Sequence, residues 1–171
     1  MQTLFTGRLI LRDWSPCDID DFFALWSNPR LTLPEGNPPL ATKEECMPLF
    51  RYLMMAKNNY AMVLRESGRV IGTLGLNEDA ERDERLRNAG FMVNEDYWGR
   101  GLMKEALCAV IAQPPDGVLG LSCAHAAGNE RVRRLVQSLG FSYAKIYPAV
   151  KRPKMDARDE LYYVFWFEGE E

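Results

Sequence analysis

The stretch that most constrains the fold of this chain is a strand that runs through two glycines into a helix. Residues 89–93 are apolar, Gly99 and Gly101 follow in a short turn, and an amphipathic helix is predicted to begin at about Gly101. The first N–H groups of a helix have no partner within the helix, and the helix dipole adds partial positive charge there. The stretch therefore predicts a phosphate-binding turn.

Spacing excludes two common phosphate loops. The chain contains no G-x-x-x-x-G-K-[ST] string, so it lacks a P-loop. Gly99 and Gly101 match the first two positions of the dinucleotide fingerprint G-x-G-x-x-G, but Lys104 occupies the third. The packing of helix against strand leaves no room for a side chain at that position. What remains is a pyrophosphate turn without a Rossmann signature.

Residues 97–106 read Tyr-Trp-Gly-Arg-Gly-Leu-Met-Lys-Glu-Ala. This string resembles the acetyl-CoA-binding loop of the GCN5-related N-acetyltransferases (GNATs), in particular the branch that acetylates ribosomal-protein N-termini. Three further matches occur in the family's order. Residues 7–12 resemble its opening strand, residues 68–76 its central hairpin, and Asn129 with Gly140-Phe141 its asparagine helix and closing Leu-Gly-Phe. The resemblance covers almost the whole chain.

The resemblance implies an α/β (α+β) fold in a single acetyltransferase domain over residues 1–171. Its mixed, largely antiparallel sheet has six or seven strands, is splayed at the centre to admit the cofactor, and carries helices on both faces. The residue pattern agrees, because strands and helices alternate through the middle while the ends are hairpin-like.

The pattern predicts seven strands and four helices, separated by loops. The strands are residues 8–13, 60–66, 69–76, 89–93, 118–124, 141–147 and 161–167, and the helices are 15–27, 42–58, 101–113 and 129–139. Four prolines predict an irregular loop over residues 28–40. Residues 77–88 are predicted to be a charged connection, and residues 151–159 a polar one.

The resemblance implies transfer of an acetyl group from acetyl-CoA to a primary amine, either a protein N-terminus or a small-molecule amine, by direct attack in a ternary complex. The implied cofactor-binding residues are Met92, Val93, Trp98, Gly99, Arg100, Gly101, Leu102, Met103, Lys104, Asn129, Arg133 and Arg134. Each also has a structural interpretation: turn geometry for the glycines, core packing for Met92 and Val93, a helix N-cap for Asn129 and surface charge for the arginines.

Three positions depart from the family pattern. Met103 stands where the family usually has Ala or Gly, and Val132 and Val136 stand where it often has Ser or Ala and a tyrosine general acid. The acid for the departing thiolate is therefore unassigned, although a thiol of pKa about 8.5 hardly needs one near neutral pH. These departures motivate the alternative of a non-catalytic acyl-CoA-binding sensor or interaction domain. A nucleotide-binding module of another kind is a third hypothesis.

The candidate catalytic residues are Glu78 and Asn129. Glu78 follows the strand that ends at Leu76 and is a candidate for a water-relayed base. The alternative is a solvated charged loop that also contains Asp79, Glu81, Asp83 and Glu84. His125, the only histidine, has either a base or a structural role. An α-amine, with a pKa of roughly 8, needs less help from a base than a lysine near 10.4.

A net charge of −3 argues against a nucleic-acid or anionic-membrane binder. The four cysteines form no C-x-x-C pair, which favours reduced and mostly buried thiols, without a metal site, in a cytoplasmic protein. Cys108 and Cys123 are interpreted as small buried hydrophobic residues in preference to acyl carriers. The chain is a monomer or a homodimer, since residues 161–167 suit an internal strand or a strand at a dimer edge.

Overall fold

The computed structural model describes residues 1–79, 83–150 and 157–167, which contain eight strands and five α-helices. The strands are β1 Leu4–Phe5, β2 Leu9–Arg12, β3 Asn59–Leu64, β4 Val70–Glu78, β5 Leu86–Val93, β6 Gly120–Ala126, β7 Ser142–Val150 and β8 Arg158–Trp166. The helices are α1 Ile19–Trp26, α2 Pro29–Thr32, α3 Lys43–Ala56, α4 Leu102–Ala112 and α5 Glu130–Ser138.

The strands pair in the order β1-β2-β3-β4-β5-β6-β8-β7 and form a mixed sheet. Strand β5 runs parallel to β6, and that ladder covers only Leu86–Asn88 of β5. The pairs β1–β2, β2–β3, β3–β4, β6–β8 and β7–β8 are antiparallel. The α+β fold expected from the resemblance is therefore present. The last strand, β8, is internal because it pairs with both β6 and β7.

The sheet contains one strand more than the expected six or seven. The additional strand is β1, whose two residues pair with Leu11 and Ile10 of β2. A strand of two residues is too short to show the alternation by which strands are recognised in a sequence.

The contacts divide the chain into two compact units. The first consists of Met1–Gly75 and Phe91–Ala109, and the second consists of the described residues within Leu76–Gly90 and Val110–Glu171. The core of the first unit is built from side chains of α1, α3 and strands β3 and β4. Its buried members are Trp14, Phe22, Leu25, Leu31, Cys46, Phe50, Leu53, Ala61, Val63 and Val70.

Two segments of the first unit show how local sequence set the structure. Thr42 caps α3, because its hydroxyl accepts the N–H of Glu45. The loop expected over residues 28–40 is partly helical, with α2 followed by a 3₁₀ helix at Leu33–Glu35. The Asn28 side chain accepts the N–H of Arg30, and Pro29 occupies the first helical position. This is a typical helix start, but the four prolines of the segment favoured the prediction of a loop.

The second unit joins β6, β8 and β7 to α5. The connection expected over residues 77–88 is shorter, because β4 continues to Glu78 and β5 begins at Leu86. Residues 80–82 of that connection lie outside the described residues, as do residues 151–156 of the polar segment that links β7 and β8. No helix in the described ranges is long and apolar enough to cross a membrane.

Gly120 permits the closest backbone approach in the second unit, which leads to a prediction on stability. A Cβ built at Gly120 would lie 2.3 Å from the carbonyl oxygen of Phe165, whereas one at Gly128 would meet nothing within 4 Å. Gly120→Ala is expected to lower the free energy of unfolding by about 1–3 kcal/mol, because the β6–β8 ladder must open to admit the methyl group. Gly128→Ala is the control and is expected to be neutral or slightly stabilising. Urea denaturation measures both, and equal midpoints for the two variants would contradict the close approach.

Candidate functional site

The predicted phosphate-binding turn lies in the first unit between β5 and α4. After Val93 the chain forms a 3₁₀ helix at Glu95–Tyr97 and then two residues with positive φ, Gly99 at 75° and Gly101 at 73°. Side chains rarely adopt this left-handed region, so both glycines are needed for the path of the backbone. The order of strand, turn and helix agrees with the sequence pattern.

Six consecutive backbone N–H groups of this turn donate no hydrogen bond to any described residue. They belong to Gly99, Arg100, Gly101, Leu102, Met103 and Lys104. The first bonded N–H after them is that of Glu105, which donates to the carbonyl oxygen of Gly101 at 3.0 Å. Adjacent free N–H groups at the positive end of a helix dipole suit a phosphate or pyrophosphate group.

Trp98 and Arg100 of the turn are anchored by contacts, whereas one cation, Lys104, has no partner among the described residues. The Trp98 indole packs against the core of the first unit and donates to the carbonyl oxygen of Val93 at 2.7 Å. The Arg100 guanidinium folds back to donate to the carbonyl oxygen of Asp96 and lies over the Tyr97 ring. Lys104 is exposed, and its ammonium has no partner among the described residues. Lys104 is therefore the side chain of this turn that is free to contact an anion.

Met103 and Leu102 begin α4 with their side chains buried, 9% and 3% exposed respectively. The bulky residue that departs from the family pattern therefore occupies interior space and leaves its own N–H free. The spacing of buried residues along α4 also places Cys108 on the exposed side of the helix, beside Lys104. The expectation that Cys108 is a small buried residue is wrong, whereas Cys123 is buried as expected.

Met92 and Val93 are half-buried at the end of β5. The Met92 side chain packs against the core, and the Val93 carbonyl oxygen is already bonded to Trp98. A Cβ at Gly72 of β4 would lie 2.5 Å from the carbonyl oxygen of Met92. The backbone of Met92 is therefore held in place by direct contact with β4.

The remaining predicted cofactor residues lie on α5 of the second unit. Asn129 is the N-cap of this helix, and its Oδ1 accepts the N–H of Val132 at 3.3 Å. Its Nδ2 donates to none of the described residues and remains available. Arg133 pairs with Glu130, and Arg134 donates to the carbonyl oxygen of Glu130; both side chains are exposed.

The two valines that replace polar residues of the family contribute to packing. Val136 is fully buried and Val132 is half-buried on the inner side of α5. Both agree with the core interpretation, so neither position offers a proton donor.

The candidate base and its neighbour differ sharply in environment. Glu78 is exposed at the end of β4, whereas Asp79 is only 4% exposed. The Asp79 carboxylate accepts hydrogen bonds from the Ser122 hydroxyl at 2.5 Å and the Tyr162 hydroxyl at 2.6 Å. Burial and the bond to Asp79 raise the pKa of Tyr162 well above its ordinary value. Asp79 is therefore part of a buried network and does not belong to a solvated loop; Glu81 lies outside the described residues.

His125 is a packed residue of β6, 6% exposed, and its ring stacks on Tyr163 at 5.5 Å between centroids. Its Nδ1 lies 2.8 Å from the carbonyl oxygen of Ala126. This environment agrees with the structural interpretation of the only histidine.

The second unit also contains a groove that is separate from the predicted site residues. A groove of about 480 Å³ runs along β7 and β8, with Asp83, Tyr143 and Lys145 among its lining residues. None of the predicted cofactor or catalytic residues lines it. Within the described ranges, no group of three or more His, Cys, Asp or Glu side chains is placed to hold a metal ion.

Comparison with known proteins places this geometry in a family context. Residues 8–142 match the family model described as Acetyltransferase (GNAT) domain. The uncharacterized N-acetyltransferase p20 of Bacillus licheniformis is 28% identical over 116 residues, and the match spans 65% of this chain and 65% of that relative's length.

Two solved structures show the same fold. An acetyltransferase of the GNAT family from Bacillus anthracis has a TM-score of 0.84 at 17% identity, with 98% of this chain and 100% of that chain covered. The ribosomal L7/L12 alpha-N-protein acetyltransferase RimL, solved in complex with coenzyme A, has a TM-score of 0.82 at 14% identity, with 99% and 100% covered.

The positive φ of Gly101 gives a direct test of the turn. Gly101→Val is expected to weaken coenzyme A binding more than 100-fold while the protein stays folded, because a β-branched residue disfavours the left-handed conformation that aims the N–H groups. Gly117→Val is the matched control, since Gly117 has φ 70° and open space for a Cβ but lies outside the turn. Calorimetric titration measures binding and circular dichroism checks the fold. Unchanged binding by Gly101→Val would refute the assignment of the turn.

Proposed function

The chain belongs to the GNAT acetyltransferase family, and we propose that it transfers an acetyl group from acetyl-CoA to the α-amine of a protein N-terminus or to a small primary amine. The observation that carries this proposal is the run of six N–H groups, from Gly99 to Lys104, that donate to none of the described residues. Such a run matches the oxygen atoms of a pyrophosphate, which coenzyme A contains. The whole chain, residues 1–171, is proposed to act as one acetyltransferase domain.

In this proposal the backbone supplies most of the cofactor contacts. The N–H groups of the turn hold the pyrophosphate, and the exposed Lys104 ammonium adds charge to the same group. Backbone groups of Met92 and Val93 pair with the pantetheine arm. The free Nδ2 of Asn129 supports a hydrogen bond from that side chain to the arm. Arg133 and Arg134 are assigned to the 3′-phosphate as exposed cations.

The acceptor is proposed to be cationic before it reacts, because amines are protonated near neutral pH. RimL, with which this chain shares its fold, is described as an α-N-protein acetyltransferase, and this supports a protein N-terminus as one acceptor class. Within the first unit, α1 and residues 28–40 are proposed to line the acceptor pocket.

The proposed chemistry is direct transfer without an acyl-enzyme. The neutral amine nitrogen forms a bond to the thioester carbonyl carbon, the carbon–sulfur bond breaks, and the thiolate leaves with the electron pair. As the amide forms, the nitrogen releases one proton to solvent water. The thiolate needs no dedicated acid, because its pKa of about 8.5 is low. A backbone N–H near Val93 is proposed to polarise the carbonyl, and the binding residues contribute by holding the two reactants in line.

Glu78 is proposed to accept the amine proton through a water molecule. Its exposed position at the end of β4 supports this role, since a solvent-accessible carboxylate can exchange the proton with water. Asp79 is less suited, because its carboxylate is buried and already accepts two hydroxyl hydrogen bonds. A cytoplasmic location is proposed as well, on the basis of four free cysteines.

Calorimetric titration with acetyl-CoA tests the function first. Binding with a micromolar dissociation constant is expected, with no binding of ATP or NAD at the same concentrations. Thiol release in the presence of a panel of N-terminal peptides and small amines then identifies the acceptor class. Equal affinity for ATP or NAD would contradict the assignment to coenzyme A, and binding without thiol release for any amine would contradict the transferase activity.

The pH dependence of turnover tests Glu78. Glu78→Gln is expected to lower kcat by about 100-fold at pH 6.5, the lower end of general-base contributions. The loss is expected to shrink as the pH approaches the acceptor pKa, because the amine is then already neutral. Glu84→Gln, another exposed carboxylate of the same connection, is the control and should leave kcat unchanged. A Glu78→Gln profile that matches the wild-type profile at every pH would exclude Glu78 as the base.

A further inference from the structure

Glu105, in the first turn of α4, collects hydrogen bonds from the turn between β1 and β2. One of its oxygens accepts the Thr6 hydroxyl at 2.6 Å and the N–H of Arg8 at 2.8 Å, and the other accepts Nε of Arg8 at 2.7 Å. The Arg8 Nη2 lies 2.6 Å from the same second oxygen. Burial alone would raise the pKa of Glu105, but the bonds from Thr6 and Arg8 outweigh burial and hold it below its ordinary value. The carboxylate is therefore ionised at neutral pH.

Arg8 also reaches the phosphate-binding turn itself. Its Nη1 donates to the carbonyl oxygen of Arg100 at 2.9 Å, and its Nη2 lies 3.9 Å from where a Cβ on Gly101 would stand. One guanidinium thus connects the first turn of α4 to the residue between the two glycines. A planar guanidinium suits such a bridge, because its donors point in fixed directions.

The Arg100 carbonyl, to which Arg8 donates, lies next to the unbonded N–H groups of the turn in the sequence. In an α-helix the N–H of Lys104 would donate to the carbonyl oxygen four residues earlier, which belongs to Arg100. Arg8 donates to that oxygen, and the N–H of Lys104 donates to no described residue. The positive φ of Gly101 stops α4 from extending backwards, and the contact with Arg8 fixes the direction of the Arg100 carbonyl beside it.

The same pair also removes an electrostatic conflict. A carboxylate in the first turn of α4 lies close to the N–H groups proposed to hold phosphate, and its negative charge would repel an anion. The Arg8 guanidinium compensates this charge by direct contact. A solitary exposed ion pair contributes little to stability. Here the ion pair is accompanied by three hydrogen bonds to the carboxylate and by the bond from Arg8 to the Arg100 carbonyl oxygen.

We propose that Arg8 and Glu105 are positioning residues that hold residues 99–104 in the conformation that binds the pyrophosphate of acetyl-CoA. The inference rests on the proposed function, since it assigns a role in binding the same cofactor. Neither side chain touches the reacting atoms. Their effect is on cofactor affinity, with turnover at saturating acetyl-CoA unchanged.

Substitution of Arg8 separates affinity from turnover. Arg8→Ala is expected to weaken acetyl-CoA binding and raise KM by about tenfold, the effect of losing one charge-assisted hydrogen bond, with kcat within twofold of the wild-type value. Arg8→Lys is expected to restore part of the affinity, because a single ammonium can pair with Glu105 but cannot also reach Arg100. Arg65→Ala is the matched control: Arg65 donates to the carbonyl oxygen of Thr6 in the same β1–β2 turn and does not contact the phosphate-binding turn.

Glu105→Gln tests whether the Glu105 carboxylate strengthens or weakens the binding of acetyl-CoA. If the carboxylate were only a nearby negative charge, its neutralisation would tighten the binding of an anion. The positioning role predicts the reverse, about tenfold weaker binding, because Arg8 loses the partner that aims it at Arg100. Calorimetric titration with acetyl-CoA measures all four variants, and circular dichroism confirms that each is folded.

The outcomes separate this inference from the proposed function. Failure of the wild-type protein to bind acetyl-CoA would refute the proposed function. Normal wild-type binding with unchanged binding by Arg8→Ala, or tighter binding by Glu105→Gln, would overturn the positioning role alone. In the ligand-free protein, the amide resonances of residues 99–104 are expected to shift in Arg8→Ala. Weaker binding without such a shift would mean that Arg8 contacts the cofactor directly, and would also overturn the inference.

Discussion

Six adjacent backbone N–H groups that have no acceptor among the described residues are the feature on which this site depends. A helix start normally recruits a capping side chain for such donors, but here Gly99 and Gly101 turn the chain so that no described side chain reaches them. The arrangement is tolerable because Gly99, Arg100 and Gly101 are exposed, so water can satisfy the donors. In the proposed function, a phosphate group replaces water at donors that are already oriented, with little ordering cost.

The elements that sequence predicts well are those whose signals are local. The apolar run before Gly99 and the Thr42 cap each act within a few residues. Strand β5 ends at Val93, as predicted, and α3 begins at Lys43, one residue from the predicted start. Helix α2 was concealed because Pro29 reads equally as a loop residue and as the first residue of a helix. The prediction that Cys108 is buried is wrong because α4 is apolar on more than one face. The sequence does not show which of these faces packs against the rest of the protein.

The polar network around Asp79 could not be predicted from the sequence in this way. Its hydroxyl partners, Ser122 and Tyr162, are 43 and 83 residues away along the chain. In the sequence, Ser122 and Tyr162 are hydroxyl residues within two apolar strands. Such residues are common in strands and do not predict a buried carboxylate nearby. A buried carboxylate is stable only when such partners lie within hydrogen-bonding distance of it. The sequence alone does not show these partners, and it therefore favours a solvated position for Asp79. The same holds for Arg8 and Glu105, whose pairing is a property of tertiary structure.

The proposed cofactor site consists of backbone donors and therefore places few demands on side chains. Solved structures with TM-scores of 0.84 and 0.82 share only 17% and 14% identity with this chain. When N–H groups are the ligands, side chains at the same positions are free to vary, and Met103 can fill interior space without closing the turn. The constraint passes to residues that shape the backbone: the glycines with positive φ, and Arg8, which donates to the Arg100 carbonyl oxygen. Side-chain chemistry is then concentrated on the acceptor side, where one scaffold can serve different amines.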